Sequence, residues 1–139
     1  MTVYLDASVL VSLFTDDAHA QRARQVASTQ DPLIVSDLAA AEFSSAIAIH
    51  VRTGKATQHE ARAAFTIFDN WRELIPIRVE VLSADIRSAD GLMRQLTHPL
   101  KTPDATHVMI ARRLGATLAT FDETLARVAA DLGIPLTEA

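Results

Sequence analysis

Short apolar, β-branched runs alternate with helical segments along the chain, and this alternation constrains the fold more than any other feature. Thr2-Val3-Tyr4-Leu5, Leu33-Ile34-Val35, Ile77–Leu82 and Thr117–Phe121 read as strands, and Ile134-Pro135-Leu136 can add a short last one. One or two helices fit between each pair. Strands joined by such long crossovers pair in parallel, and a parallel sheet needs helices on both faces. The expected fold is therefore a three-layer α/β/α sandwich with a parallel central sheet of roughly five strands. Residues 1–139 suffice for one domain with its own core.

The helices carry their own start and stop signals. One begins at Ala7 or Ser8 and covers Val9–Phe14. A second, after Thr15-Asp16-Asp17, places Ala20, Ala23, Val26 and Ala27 on one side. Ser36 or Asp37 caps a long helix over Leu38–Thr53, stopped by Gly54. Thr57-x-x-Glu60 has the form of a capping box, and Ala61, Ala64, Phe65, Phe68 and Trp71 follow as one apolar stripe. Ser83 caps a helix expected to bury Ile86, Ala89, Met93 and Leu96. Thr102 as N-cap and Pro103 at the first helical position start the next helix, so Asp104 falls in its first turn. Gly115 can supply the left-handed residue that ends it. Glu123–Leu132 is the last helix, stopped by Gly133.

Composition excludes several chemistries. With no cysteine, the chain has no disulfide, thiol nucleophile or zinc–thiolate site, which fits a reducing cytoplasm. The apolar run Val9–Phe14 is too short for a membrane span and lacks the basic leader of a signal peptide. A net charge of −4 argues against broad electrostatic attraction to nucleic acid. Setting aside the four acids discussed next, acidic and basic residues are equal in number, and bound divalent cations would reverse the local sign.

Asp6 stands at the C-terminal end of the first strand, Asp122 at the end of a later one, and Asp104 opens a helix. Glu42 lies on a small, apolar helix face among Leu38, Ser45, Ala46 and Ile49, where a carboxylate is costly unless paired or bound to a cation. Ligands of open parallel sheets bind outside the carboxyl ends of the strands. Acids gathered there either raise a pKa or recruit a hard cation, and oxygen-only ligands suit Mg²⁺ or Mn²⁺. Each acid also has an ordinary role available: Asp6 and Asp122 as N-caps, Asp104 as a first-turn acid, Glu42 as an exposed side chain. Their joint placement sets them apart.

Asp6-Ala7-Ser8, the lone Glu42 in the helix after the second strand, Thr102-Pro103-Asp104-Ala105 with His107, and Thr120-Phe121-Asp122 together resemble the PIN-domain ribonucleases. The phrase LKTPDATH and the chain length resemble the VapC toxins of bacterial toxin–antitoxin pairs. The resemblance covers essentially the whole chain. It implies a Mg²⁺- or Mn²⁺-dependent endoribonuclease with a parallel five-stranded sheet, in which Asp6, Glu42, Asp104 and Asp122 are the catalytic and metal-holding acids. It further implies Ser8 and Thr120 as supporting hydroxyls, RNA as substrate, a homodimer, and a cognate antitoxin whose tail covers the groove.

Other residues carry weaker signals. Lys101, Arg112 and His107 flank the acids and are candidates for holding RNA. His107 equally suits packing or a hydrogen bond to an acid, and Arg112-Arg113 suits the C-terminal end of a helix dipole. His19, His50, His59 and His98 have no metal-ligand spacing. The stripe of Phe65, Phe68 and Trp71 reads as core or interface. Three rival functions remain to be weighed. A phosphoacceptor domain wants paired acids after the first strand, and a haloacid-dehalogenase-like phosphatase wants a second Asp where Ser8 stands. A PIN-like interaction module that binds a partner or RNA without cutting is separated only by measured metal binding and cleavage.

Overall fold

The computed structural model describes residues 1–137. Its elements are β1 (Val3–Leu5), α1 (Ala7–Phe14), α2 (Ala20–Ala27), β2 (Leu33–Ser36), α3 (Asp37–Arg52), α4 (Gln58–Glu73), β3 (Ile77–Val79), α5 (Ser83–Met93), α6 (Thr102–Leu114), β4 (Thr117–Ala119) and α7 (Glu123–Asp131). The strands form one parallel sheet in the order β3-β2-β1-β4. The expected fifth strand is reduced to a single parallel bridge between Leu136 and Leu118. Pro135 beside it has no N–H to extend a ladder.

Alternation of side chains divides the core in two. Val3, Leu5, Leu33 and Val35 pack on one face against Val9, Leu10, Ala23, Phe43 and Phe68 of α1–α4. Tyr4, Ile34 and Leu118 pack on the other against Ala89, Ala105, Val108 and Leu125 of α5–α7. The aromatic stripe of α4 is core, as its spacing predicts. Phe68 stacks on Phe43 at 4.4 Å, and Phe14 meets Phe68 and Trp71 edge-on. Truncating such a buried Phe costs about 3–5 kcal/mol. Among the described residues, no helix is long and apolar enough to cross a membrane.

Local capping follows the sequence in most places. Ser36 caps α3 by accepting Ala39 N–H, the Thr57–Glu60 capping box is complete at 3.1 and 3.0 Å, and Gly115 ends α6 at φ 60°. Four expectations change. β3 stops at Val79, short of the strand expected to Leu82, and β4 stops at Ala119, short of the strand expected to Phe121, so Asp122 stands three residues beyond its end. Lys101 rather than Thr102 is the N-cap of α6, so Thr102 and Pro103 are its first two residues. Leu82 rather than Ser83 precedes α5, and the helix is turned so that Asp85, Ala89 and Leu92 are buried. Ile86 is left 46% exposed and Leu96 91% exposed. On the inward side, Ala89 and Leu92 join the apolar core and the guanidinium of Arg113 from α6 meets Asp85.

Candidate functional site

β1 and β4 are neighbours, yet β1 leads into α1 on one face of the sheet and β4 into α7 on the other. Their carboxyl ends therefore border the crevice in which open parallel sheets take ligands. Asp6 follows β1 directly, and its N–H donates to Ala119 O of β4 at 3.1 Å. Thr120, Phe121 and Asp122 follow β4.

Asp6 is the most deeply held of the four acids, at 4% exposure. Its Oδ1 accepts the Ser8 hydroxyl at 2.5 Å and Val9 N–H at 3.2 Å, and its Oδ2 accepts the Thr120 hydroxyl. Both hydroxyls are pinned in turn. Ser8 Oγ accepts Phe121 N–H at 2.9 Å, and Thr120 Oγ1 accepts Asp122 N–H at 3.1 Å. A hydroxyl has one proton to give, and each gives it to Asp6. Burial lifts the Asp6 carboxyl above the usual range, against the hydrogen bonds from Ser8, Thr120 and Val9.

The other acids come from separate elements. Asp122 caps α7 through Leu125 N–H at 3.0 Å and remains exposed. Asp104, third residue of α6, is half-buried. Its carboxyl is raised first by burial and then by the charges of Asp122 and Glu42, against the backbone of Lys101 and His107. These repulsions tie α3, α6 and the segment after β4 to one locale. Glu42, in the second turn of α3 and 32% exposed, meets Nε2 of His107 through Oε1. The capping roles of Asp6 and Asp122 are thus real, and they leave carboxylate lone pairs free.

Among the described residues, no Lys or Arg forms an ion pair with any of these four acids. No group of three or more His, Cys, Asp or Glu side chains there encloses a metal-sized position. Mg²⁺ does not require such a cage, since it keeps several waters and takes one or two carboxylates together with substrate phosphate. Oxygen-only donors, a carboxyl raised by burial and by neighbouring acids, and no Lys or Arg ion pair to these acids among the described residues fit Mg²⁺ or Mn²⁺.

The weaker candidates separate clearly. His107 is 2% exposed, so it sits beneath Glu42 and not in a position to touch a substrate. Lys101 is exposed at the start of α6, beside Asp104. Arg112 lies eight residues beyond Asp104, about 12 Å along the helix axis. It lines a cleft of about 570 Å³ with Ser88, Gln95 and Leu132, away from the acids. Sequence reasoning passed over Arg22 and Phe121. Arg22 lies over the Phe121 ring at 4.6 Å, with His19 against the same ring at 5.3 Å, and so places positive charge on the segment that links Thr120 to Asp122. It also passed over Tyr4, whose hydroxyl in a buried strand needed a partner and was the available signal.

A family model described as PIN domain matches residues 3–131. Ribonuclease VapC3 of Pyrobaculum aerophilum is 27% identical over 126 residues, covering 91% of this chain and 93% of that protein. Mycobacterium tuberculosis VapC20, a sarcin-ricin loop cleaving toxin, has the same fold at a TM-score of 0.72 and 19% identity, covering 91% of this chain and 94% of that one. Rickettsia felis VapBC2, solved bound to a DNA fragment from their promoter, superposes at a TM-score of 0.68 with 15% identity over 99% of this chain and 98% of that one.

Proposed function

The chain belongs to the PIN domain family, and from that premise we propose that it is a cytoplasmic, Mg²⁺- or Mn²⁺-dependent endoribonuclease, the toxin of a toxin–antitoxin pair. Asp6 carries the proposal. It is a buried carboxylate at the crevice between β1 and β4, held by two oriented hydroxyls, with no ion pair to Lys or Arg among the described residues, and Asp104, Asp122 and Glu42 face one another on the elements around it. The relatives named for ribonuclease and toxin activity support it. The similarity to VapBC2 of Rickettsia felis supports a cognate antitoxin, and the family resemblance supports a homodimer.

Asp6 and Asp104 would hold the cation, with Asp122 and Glu42 beside them. When bound, it supplies Lewis-acid stabilisation of the charge on the scissile phosphate and lowers the pKa of a nearby water. The chain's own residues then set the geometry. Ser8 and Thr120 aim the Asp6 carboxylate, each with its proton committed and its oxygen tied to the backbone after β4. Glu42 is engaged only through Oε1, which leaves Oε2 able to take a proton from attacking water. Arg22 and Lys101 supply phosphate-attracting charge at the rim.

The test is Mn²⁺ binding measured together with single-turnover RNA cleavage, and 5′-end sequencing of RNA after brief induction, for the intact chain and its Asp6→Asn and Asp104→Asn forms. Both variants should fold and fail to cut. Undiminished cleavage by both would refute the assignment. RNA binding without cleavage by the intact chain would make it an interaction module.

A further inference from the structure

Behind Glu42 runs a chain of buried polar groups that begins at the Ser36 cap of α3 and continues beyond what the sheet and that cap require. Tyr4 sits in the central strand between Val3 and Leu5, wholly buried. Its hydroxyl meets Ser36 Oγ at 2.8 Å and His107 Nδ1 at 2.6 Å. The Tyr4 and His107 rings pack edge to face with centroids 5.6 Å apart. His107 passes the contact outward to Glu42 Oε1. At the inner end, Ser36 Oγ accepts Ala39 N–H at 3.1 Å.

Donor and acceptor capacity gives the chain a direction. An ionised carboxylate only accepts, so His107 Nε2–H donates to Glu42. Nδ1 of the neutral ring then accepts from the Tyr4 hydroxyl, whose oxygen accepts from Ser36. Ser36 Oγ is already an acceptor for Ala39, so its own proton is free to point at Tyr4. With the ring neutral, every proton has one destination, and the side chains involved come from β1, β2, α3 and α6.

We propose that Ser36, Tyr4 and His107 are positioning residues that hold the Glu42 carboxylate at the acid cluster, with His107 in its Nε2–H form, and thereby set the site's affinity for a divalent cation. The cation part rests on the nuclease reading above. A glutamate on a helix surface beside Asp104 and Asp122 would otherwise swing toward solvent, because like charges repel and its side chain is flexible. Anchoring it through a strand in the middle of the sheet removes that freedom. Partners that orient a ligating side chain commonly change metal affinity by 10- to 100-fold when removed.

The experiment titrates the full chain with Mn²⁺ alone, without RNA. His107→Ala should weaken Mn²⁺ binding about tenfold. His107→Gln, whose amide nitrogen can donate at a similar reach, should recover most of that loss, while the shorter His107→Asn should not. In a Glu42→Gln background, His107→Ala should add little further loss. A folded His107→Ala chain with unchanged affinity, or Gln no better than Ala, overturns the proposal. If the intact chain binds no Mn²⁺, the metal site itself falls, and imidazole ¹⁵N NMR judges the chain of contacts separately. An Nε2–H ring whose resonances move with Glu42→Gln and Tyr4→Phe upholds it. An Nδ1–H ring, or one indifferent to both substitutions, sinks it. Glu42→Gln alters a part-exposed side chain, so this readout survives if the His107 variants fail to fold.

Discussion

Two carboxylates at the starts of helices each expose almost no surface of their own, one deep between two strands and one under a part-exposed arginine, and they have opposite fates. Asp85 on α5 is 2% exposed, Asp6 before α1 is 4% exposed. Asp85 accepts Arg113 Nε at 2.7 Å and Arg113 Nη2 at 2.9 Å, and also Leu82 N–H at 2.9 Å. Burial pulls its carboxyl upward, but these hydrogen bonds and the guanidinium charge outweigh it and hold the group below the usual range. Asp6 receives two hydroxyls and one amide, none of them charged, and its carboxyl stays raised. Low exposure alone therefore does not set an acid apart. Of these two, Asp6 is the one without an ionic partner, and so the one that would gain from a cation.

The contrast can be broken most decisively by activity. Asp6→Asn should lower single-turnover RNA cleavage on the order of a thousandfold, about 4 kcal/mol of barrier, while Asp85→Asn leaves it within severalfold of the intact chain. Equal losses in the two variants would erase the distinction. Stability should respond the other way. Asp85→Ala strands a guanidinium that is one-third exposed, so urea unfolding should show a loss of about 1–3 kcal/mol, less than for a fully buried pair. Asp6→Asn should lose far less in the absence of divalent cation.

Acidity separates the two regions with opposite signs. Asp104 is raised in the folded chain, so its contribution to stability is full below the unfolded value near pH 4 and lost as pH rises through the folded one. Asp85 is lowered, so its contribution is present above the unfolded value and lost as pH falls through the folded one. Without divalent cation, Asp104→Asn should thus melt a few degrees above the intact chain at neutral pH, with the gap closing in acid. Asp85→Asn should melt below it at neutral pH, with its gap also closing in acid. Mn²⁺ should reverse the first difference and leave the second alone. The smallest effect belongs to the rim: in an Asp6→Asn background, Arg22→Ala should weaken binding of single-stranded RNA about two- to fivefold. An unchanged dissociation constant would remove Arg22 from the RNA path.

How far the site was legible follows from the range of each interaction. Asp6, Glu42, Asp104 and Asp122 could be put forward as candidates because each sits at a boundary or on a face that local pattern identifies, and because together they resemble a known family's acids. The inward turn of α5 could not, since Ile86 and Leu96 fit the periodicity as well as Asp85 and Leu92 do. The partner that meets Asp85 on the inward side, Arg113, is 28 residues away. His107 was readable as a neighbour of Asp104 one turn on, but not as the group that links Tyr4 to Glu42.

The amino-acid order by itself determined the alternation of strands and helices, most of their caps, and the four acids, because periodicity and capping act within a turn or two of chain. Only the tertiary structure decided that β1 lies against β4. That neighbourhood brings the Thr120 hydroxyl onto Asp6, 114 residues earlier, and the packing of α6 on the sheet brings His107 onto Tyr4, 103 residues earlier. Contacts of that span depend on strand order and helix packing, for which a local stretch of sequence carries no signal.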